Sequence, residues 1–138
     1  VRMGGGYNHR LNLADGILIK DNHIQANAFR EMGLKDVIQL ALARASHTIK
    51  VEVEVENMEQ VKVALEAGAH IIMLDNMSVP EMADAMKVIG DQAIVEASGG
   101  IIYDTVRAVA ETGVDLISIG GLTHSVDALD ISLDLEFD

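Results

Sequence analysis

The stretch Ile49-Lys50-Val51-Glu52-Val53-Glu54-Val55 runs into Asn57–Ala67 and then into His70-Ile71-Ile72-Met73-Leu74-Asp75. The first and third pieces are short aliphatic runs of strand length. The second places Met58, Val61 and Leu65 at helical spacing. Together they read as strand, helix, strand, one βα unit of a parallel sheet. The pattern continues in both directions. Gly16–Lys20 precedes it, and Ala93–Ser98 and Asp115–Gly120 follow it, with Ile131–Leu135 as a sixth candidate strand. Between them lie three further helical patterns. Ala26–Ala45 carries Leu34, Val37, Ile38, Ala41, Leu42 and Ala45. Ser78–Ile89 has Ser78 as N-cap and Pro80 in its first turn. Ile101–Glu111 carries Ile102, Val106 and Val109, with Gly113 as its C-terminal stop.

The central strands close on Glu54, Asp75, Ser98 and Gly120, at intervals of 21, 23 and 22 residues. That recurrence fits an α/β fold of parallel βα repeats, part of an incomplete TIM-like barrel. A full barrel takes about 250 residues. The expectation for residues 1–138 is therefore a single partial barrel domain that lacks its first strand.

Ligands of parallel α/β sheets bind at the carboxyl ends of the strands. There the sequence puts Lys20, Glu54, Asp75, Ser98 and Gly120. Leu18, Glu52, Met73, Glu96 and Ser118 share their face, because side chains alternate with a period of two. The opposite face is read as aliphatic: Ile17, Ile19, Val51, Val53, Val55, Ile71, Leu74, Val95, Ile117 and Ile119.

The balance of 22 acidic against 10 basic residues leaves a net charge of −12, and aromatics are only 3%. A nucleic-acid partner is not expected, since neither a basic footprint nor a stacking platform exists. No apolar run of about 18 residues points to a membrane. No leader-like segment is read, and the expected location is cytoplasmic. The absence of cysteine removes disulfides, thiolate metal sites and cysteine nucleophiles. An anionic ligand would need a local basic cluster working against the global field.

Two segments supply that cluster. In Gly4-Gly5-Gly6-Tyr7-Asn8-His9-Arg10 the glycines admit a ligand and His9 and Arg10 supply donors, or the segment is a solvated linker. It matches neither a P-loop nor a dinucleotide fingerprint. Lys20-Asp21-Asn22-His23 is either a cationic site at a strand end or a surface turn. The alternation Glu52, Glu54, Glu56 spaces carboxylates about 6.5 Å apart along one face. It reads as an acid-lined interior compensated by Lys50 and Lys20, or as a wet edge strand. Asp75 is a catalytic or metal-binding acid, or the cap of the next helix. Glu54 and Asp75 on adjacent strands suit a hard divalent cation or sugar hydroxyls. Ser98-Gly99-Gly100 and Gly120-Gly121-Leu122-Thr123-His124-Ser125 are phosphate loops or simple tight turns.

These runs, in this order over nearly the whole chain, resemble the second half of quinolinate phosphoribosyltransferase, also called nicotinate-nucleotide pyrophosphorylase (carboxylating). The motifs carrying the resemblance are Gly4–Arg10, Leu18–Ile24, Val51–Val55, Ile71–Asn76, Glu96–Ile101 and Gly113–Ser125. The resemblance implies a transferase that joins quinolinate to phosphoribosyl pyrophosphate and releases pyrophosphate and CO2. The product is nicotinate mononucleotide, on the route to NAD. It also implies Mg2+, an N-terminal sandwich domain ahead of the partial barrel, and a dimer or hexamer. Carried over, His9, Arg10 and Lys20 meet the quinolinate carboxylates. Glu54 and Asp75 face the ribose and the Mg2+–pyrophosphate end, and with Lys20 they form the catalytic set. Ser98, Gly99, Gly100, Gly120 and Gly121 hold phosphate, with His124 nearby. The competing expectations are a related phosphate-binding barrel with another acceptor, and a catalytically silent half-barrel that exposes a large apolar face.

Overall fold

The computed structural model describes residues 1–28 and 31–136. Five parallel strands form one sheet: β1 (Ile17–Ile19), β2 (Val51–Val55), β3 (Ile71–Asp75), β4 (Ile94–Ser98) and β5 (Leu116–Ile117). Their spatial order is their chain order, 1-2-3-4-5. A doubly wound sheet reverses direction at a switch point, whereas successive addition on one side generates the arc of a barrel.

Helices α1 (Asp21–Ala28), α2 (Leu34–Arg44), α3 (Met58–Ala67), α4 (Val79–Ile89), α5 (Tyr103–Ala110) and the single turn α6 (Gly121–His124) fill the connections. The core lies between the helices and one sheet face. Val51, Val53, Val55, Ile72, Leu74, Val95 and Ala97 are fully buried there against Ile38, Val61, Ala64, Ala85 and Ile89. Their alternation along each strand is the expected period of two. Ile71 is a correction: it pairs in register with Glu52 and is half-buried, so it belongs to the polar face, and Ile72 takes its place in the core.

Three other expectations change. The pattern read as one helix over Ala26–Ala45 is two helices, with residues 29 and 30 outside the described residues. Gly33 is extended, and its N–H donates to Asp36 Oδ2 at 3.0 Å, so α2 starts afresh there. Glycine disfavours helix interiors, and an acid three residues on captures its free amide. The sixth strand over Ile131–Leu135 does not form. Ile131, Leu133 and Leu135 are exposed, and no described strand lies beside them to complete a ladder. The strand expected over Asp115–Gly120 is shorter, Leu116–Ile117, and Gly120, with a right-handed φ of −60°, begins one helical turn instead of ending the strand. Among the described residues no helix is long and apolar enough to cross a membrane.

The start of α4 decides the role of Asp75. Glu81 accepts hydrogen bonds from Ser78 N–H at 2.8 Å and Ser78 Oγ–H at 2.6 Å. Pro80 sits in the same first turn. Asp75 is therefore not the cap. The Ser78 hydroxyl and amide hold the Glu81 carboxyl below the ordinary glutamate range. A carboxylate lowered on folding stabilises the native state above its unfolded value, and the contribution disappears as pH falls through the folded value. Glu81→Gln is thus expected to lower the melting temperature slightly near neutrality. The two proteins should converge once the pH drops well below about 4. Thermal denaturation followed by circular dichroism across the acid range checks this, and a gap that widens in acid would contradict it.

Candidate active site

Each strand delivers its last residues to one rim. Lys20 follows β1 directly and precedes α1, so its side chain leaves the sheet at the carboxyl end. Its Nζ lies 2.8 Å from Glu54 Oε2, on the neighbouring strand. The hydrogen bond to Glu54 raises the Lys20 pKa above its ordinary value, and the charges of Glu54, Asp75 and Asp21 push in the same direction. Lys20 therefore stays cationic throughout the neutral range.

Asp75 ends β3 opposite Ser98 of β4. It accepts from Asn76 Nδ2 at 2.8 Å. Asn76 is left-handed, with φ 53°, and its N–H donates to the Ser98 carbonyl at 3.0 Å. Gly99 lies directly against it. A Cβ at Gly99 would stand 2.6 Å from the Asn76 backbone nitrogen, and Gly99 itself has φ 88°. The acid and the first glycine loop are thus one interlocked unit. Glycine is required here by both the backbone sign and the close approach.

The two glycine loops face each other across a cleft of about 400 Å³, bordered by Ser98, Gly99, Gly100, Ser118, Gly121 and His124. His124 folds back over Gly120, where a Cβ would lie 2.6 Å from its Nε2. Its Nδ1 is 2.7 Å from Ser125 Oγ.

A third cluster sits one tier deeper. His9, on the irregular segment ahead of β1, places Nε2 3.3 Å from Glu52 Oε2 and 3.4 Å from Glu96 Oε1. Ser118 Oγ donates a short hydrogen bond to Glu96 Oε1. Glu52 and Glu96 are only 6% and 3% exposed. Burial, then repulsion from Glu96, raises the Glu52 pKa, while His9 and Arg10 pull it back.

The expected site residues are therefore brought together in three adjoining groups. Lys20, Glu54 and Asp75 form the first. Ser98, Gly99, Gly100, Gly120, Gly121 and His124 form the second. His9, with half-buried Arg10 close enough to act on Glu52, forms the third. Two expectations about the acid face change. β2 is internal, so it is not a wet edge strand, and Glu56 lies beyond its end and is exposed. Lys50 compensates none of these acids, because it lies at the amino ends of the strands. There it borders a cavity of about 650 Å³ with His70, Asp91 and Asp115. That cavity is the larger of the two, but its polar groups tie the strand starts together. His70 Nδ1 accepts from Val51 N–H at 2.9 Å, and Asp115 Oδ2 accepts from Val95 N–H at 2.8 Å. Glu52, read only as one carboxylate of the acid face, and Glu96, Ser118 and Asn76 were not among the expected site residues. Strand parity signalled the first three, and nothing in the sequence signalled the left-handed Asn76.

Comparison with known proteins agrees with this geometry. The model of the family described as "Quinolinate phosphoribosyl transferase, C-terminal domain" matches residues 1–134. The probable nicotinate-nucleotide pyrophosphorylase [carboxylating] of Methanocaldococcus jannaschii is 44% identical over 98% of this chain and 48% of its own length. That of Bacillus subtilis is 45% identical over 98% of this chain and 45% of its own. The crystal structure of nicotinate-nucleotide pyrophosphorylase from Ehrlichia chaffeensis superposes with a TM-score of 0.89 at 38% identity, over 98% of this chain and 47% of that one. The chain spans about half the length of the curated relatives it matches. With the match running through every strand end described above, the chain belongs to the quinolinate phosphoribosyl transferase family, within its C-terminal domain.

Proposed function

We propose that the protein transfers the phosphoribosyl group of phosphoribosyl pyrophosphate to the ring nitrogen of quinolinate, with loss of CO2, to give nicotinate mononucleotide and pyrophosphate. One observation carries this reading: the Lys20–Glu54 pair lies beside Asp75, whose partner in register, Ser98, borders the cleft between the glycine loops. A cationic end, an acidic middle and an amide-lined cleft match a dicarboxylate, a ribose and a phosphate in that order. The names of the relatives point to the same reaction.

The residues divide the work. His9, Arg10 and Lys20 neutralise the two quinolinate carboxylates, which lets two polyanions share a chain of net charge −12. As the ring nitrogen forms its bond to the anomeric carbon and the bond to pyrophosphate breaks, positive charge develops on the ribose. Glu54 and Asp75 stabilise that charge electrostatically. The Gly99, Gly100, Gly120 and Gly121 backbone grips phosphate, with His124 over Gly120. After transfer, the carboxylate next to the ring nitrogen departs as CO2; its bonding pair stays on that ring carbon, stabilised by the neighbouring pyridinium charge, and takes a proton from water.

Mg2+ fits the same rim. Glu54 and Asp75 offer hard oxygen donors, and Mg2+ commonly binds through one or two carboxylates plus substrate phosphates. When bound it would offset the charge of the departing pyrophosphate. The reading further carries a cytoplasmic homo-oligomer, dimer or hexamer.

The division of labour is testable in the complete protein that carries this chain. Arg10→Ala is expected to raise KM for quinolinate about tenfold to a hundredfold, the cost of losing a charged hydrogen-bond partner. KM for phosphoribosyl pyrophosphate should change by less than about threefold. Steady-state kinetics with each substrate varied in turn decides it. An equal rise in both constants would contradict the assignment of ends.

A further inference from the structure

Asn76 does more than the fold at its position requires. We infer that Asn76 is a positioning residue, whose side-chain amide fixes the Asp75 carboxylate in the orientation that meets the ribose; this rests on the role of Asp75 in the proposed reaction. Asn76 Nδ2 donates to Asp75 Oδ2 at 2.8 Å. Among the described residues it is the one hydrogen-bond donor to that carboxylate. Lys20, whose charge interacts with Asp75, has its Nζ 2.8 Å from Glu54 instead. The amide can face only one way. A Cβ on Gly99 would overlap Asn76 Oδ1, so the amide oxygen is turned to Gly99. The reverse orientation would set two acceptors, amide oxygen and carboxylate, against each other.

The backbone explains the residue type only in part. Asn76 sits at φ 53°, where glycine is unstrained and asparagine is among the few side chains tolerated. Its N–H donates to the Ser98 carbonyl at 3.0 Å, a bond any residue but proline could make. Helix α4 is started by Ser78 and Glu81, and needs no cap from Asn76. The residue is exposed, so the core does not depend on it. Glycine would meet all of these demands. What asparagine adds is the amide, and the amide goes to Asp75. A carboxylate that must stabilise charge at one ribose carbon gains from being held before substrate arrives. Misplacement by about 1 Å can cost about 100-fold in rate. Without the amide, half-buried Asp75 at the end of β3 is left to turn about its side-chain bonds.

The test uses the complete protein that carries this chain and the variant Asn76→Gly, which keeps the left-handed backbone and the bond to Ser98 and removes only the amide. kcat is expected to fall about 10- to 100-fold, with KM for quinolinate within about threefold of the parent and the melting temperature nearly unchanged. Asn76→Asp keeps the shape against Gly99 but sets a second carboxylate beside Asp75, and should lower kcat at least as far. In an Asp75→Asn background, Asn76→Gly should change kcat by less than about threefold, because a residue that acts through Asp75 then has nothing left to position. A crystal structure of substrate-free Asn76→Gly gives a readout without turnover: the Asp75 carboxylate should spread over several rotamers where the parent holds one. Unchanged kcat in Asn76→Gly beside a lowered kcat in Asp75→Asn would overturn the positioning role and leave the reaction standing. An equal effect of Asn76→Gly with and without the Asp75 carboxylate would do the same, as would an Asp75 carboxylate that stays fixed once the amide is gone. Unchanged kcat in Asp75→Asn would overturn the role of Asp75 itself, and the positioning role with it.

Discussion

Asp75→Asn is expected to lower kcat about 100- to 1,000-fold while the melting temperature stays nearly constant. The first half follows from electrostatics. A carboxylate aimed at developing positive charge in a sheltered site contributes about that much to transition-state stabilisation. The second half follows from α4. Its first turn is held by Ser78, Pro80 and Glu81. Among the described residues the Asp75 carboxylate accepts one side-chain hydrogen bond, from the neighbouring Asn76 Nδ2. An isosteric amide there should cost no more than about 0.5 kcal/mol. Loss of a true helix cap would cost about 1 kcal/mol and shift the melting temperature by several degrees. Turnover and melting measured on one preparation separate the two roles. Unchanged kcat with a lower melting temperature would reverse the assignment.

Gly99→Ala should be the most destabilising single change in the site. Its φ of 88° disfavours any L side chain, and the new Cβ would stand 2.6 Å from the Asn76 backbone nitrogen. Backbone atoms cannot swing aside as a flexible side chain can. Strain and overpacking together amount to roughly 2–4 kcal/mol. Gly100→Ala is the control. It has φ 61° but nothing within 4 Å of its Cβ, so only the conformational part applies, about 1 kcal/mol. Urea denaturation of both variants checks the difference. Equal losses would mean that the Gly99–Asn76 contact yields easily and does not define the loop.

Much of this arrangement was legible because strand residues alternate. Glu54, Asp75 and Ser98 fall at strand ends by counting, and the aliphatic residues between them face the helices, whereas β5 stops at Ile117 and leaves Gly120 three residues beyond it. Ile71 broke the reading because it is apolar on the polar face: β3 is aliphatic on both sides, so composition alone could not set its phase. The break before α2 was hidden because Gly33 sits inside an unbroken apolar rhythm, and the capture of its amide by Asp36 is a local event that periodicity does not encode. Ile131–Leu135 alternates as a strand should, yet alternation supplies a face and not a partner. The His9–Glu52–Glu96 cluster lay further out of reach. It joins an aperiodic segment to residues 43 or more positions away, and no local pattern records that closure.

Lys20 illustrates how strand-end chemistry differs from its neighbours. A cation proposed to neutralise substrate carboxylates is already paired with Glu54. An incoming dicarboxylate would share it, and the pairing keeps the ammonium aimed at the rim before substrate arrives. Preorganisation of this kind lowers the reorganisation cost of binding.

The most direct test of the proposed reaction is product formation. The complete protein carrying this chain is incubated with quinolinate, phosphoribosyl pyrophosphate and Mg2+, and the mixture is resolved by chromatography. The account expects nicotinate mononucleotide, with pyrophosphate and CO2 released in equal amounts. Folded protein that consumes phosphoribosyl pyrophosphate only with a different acceptor, or not at all, would contradict it.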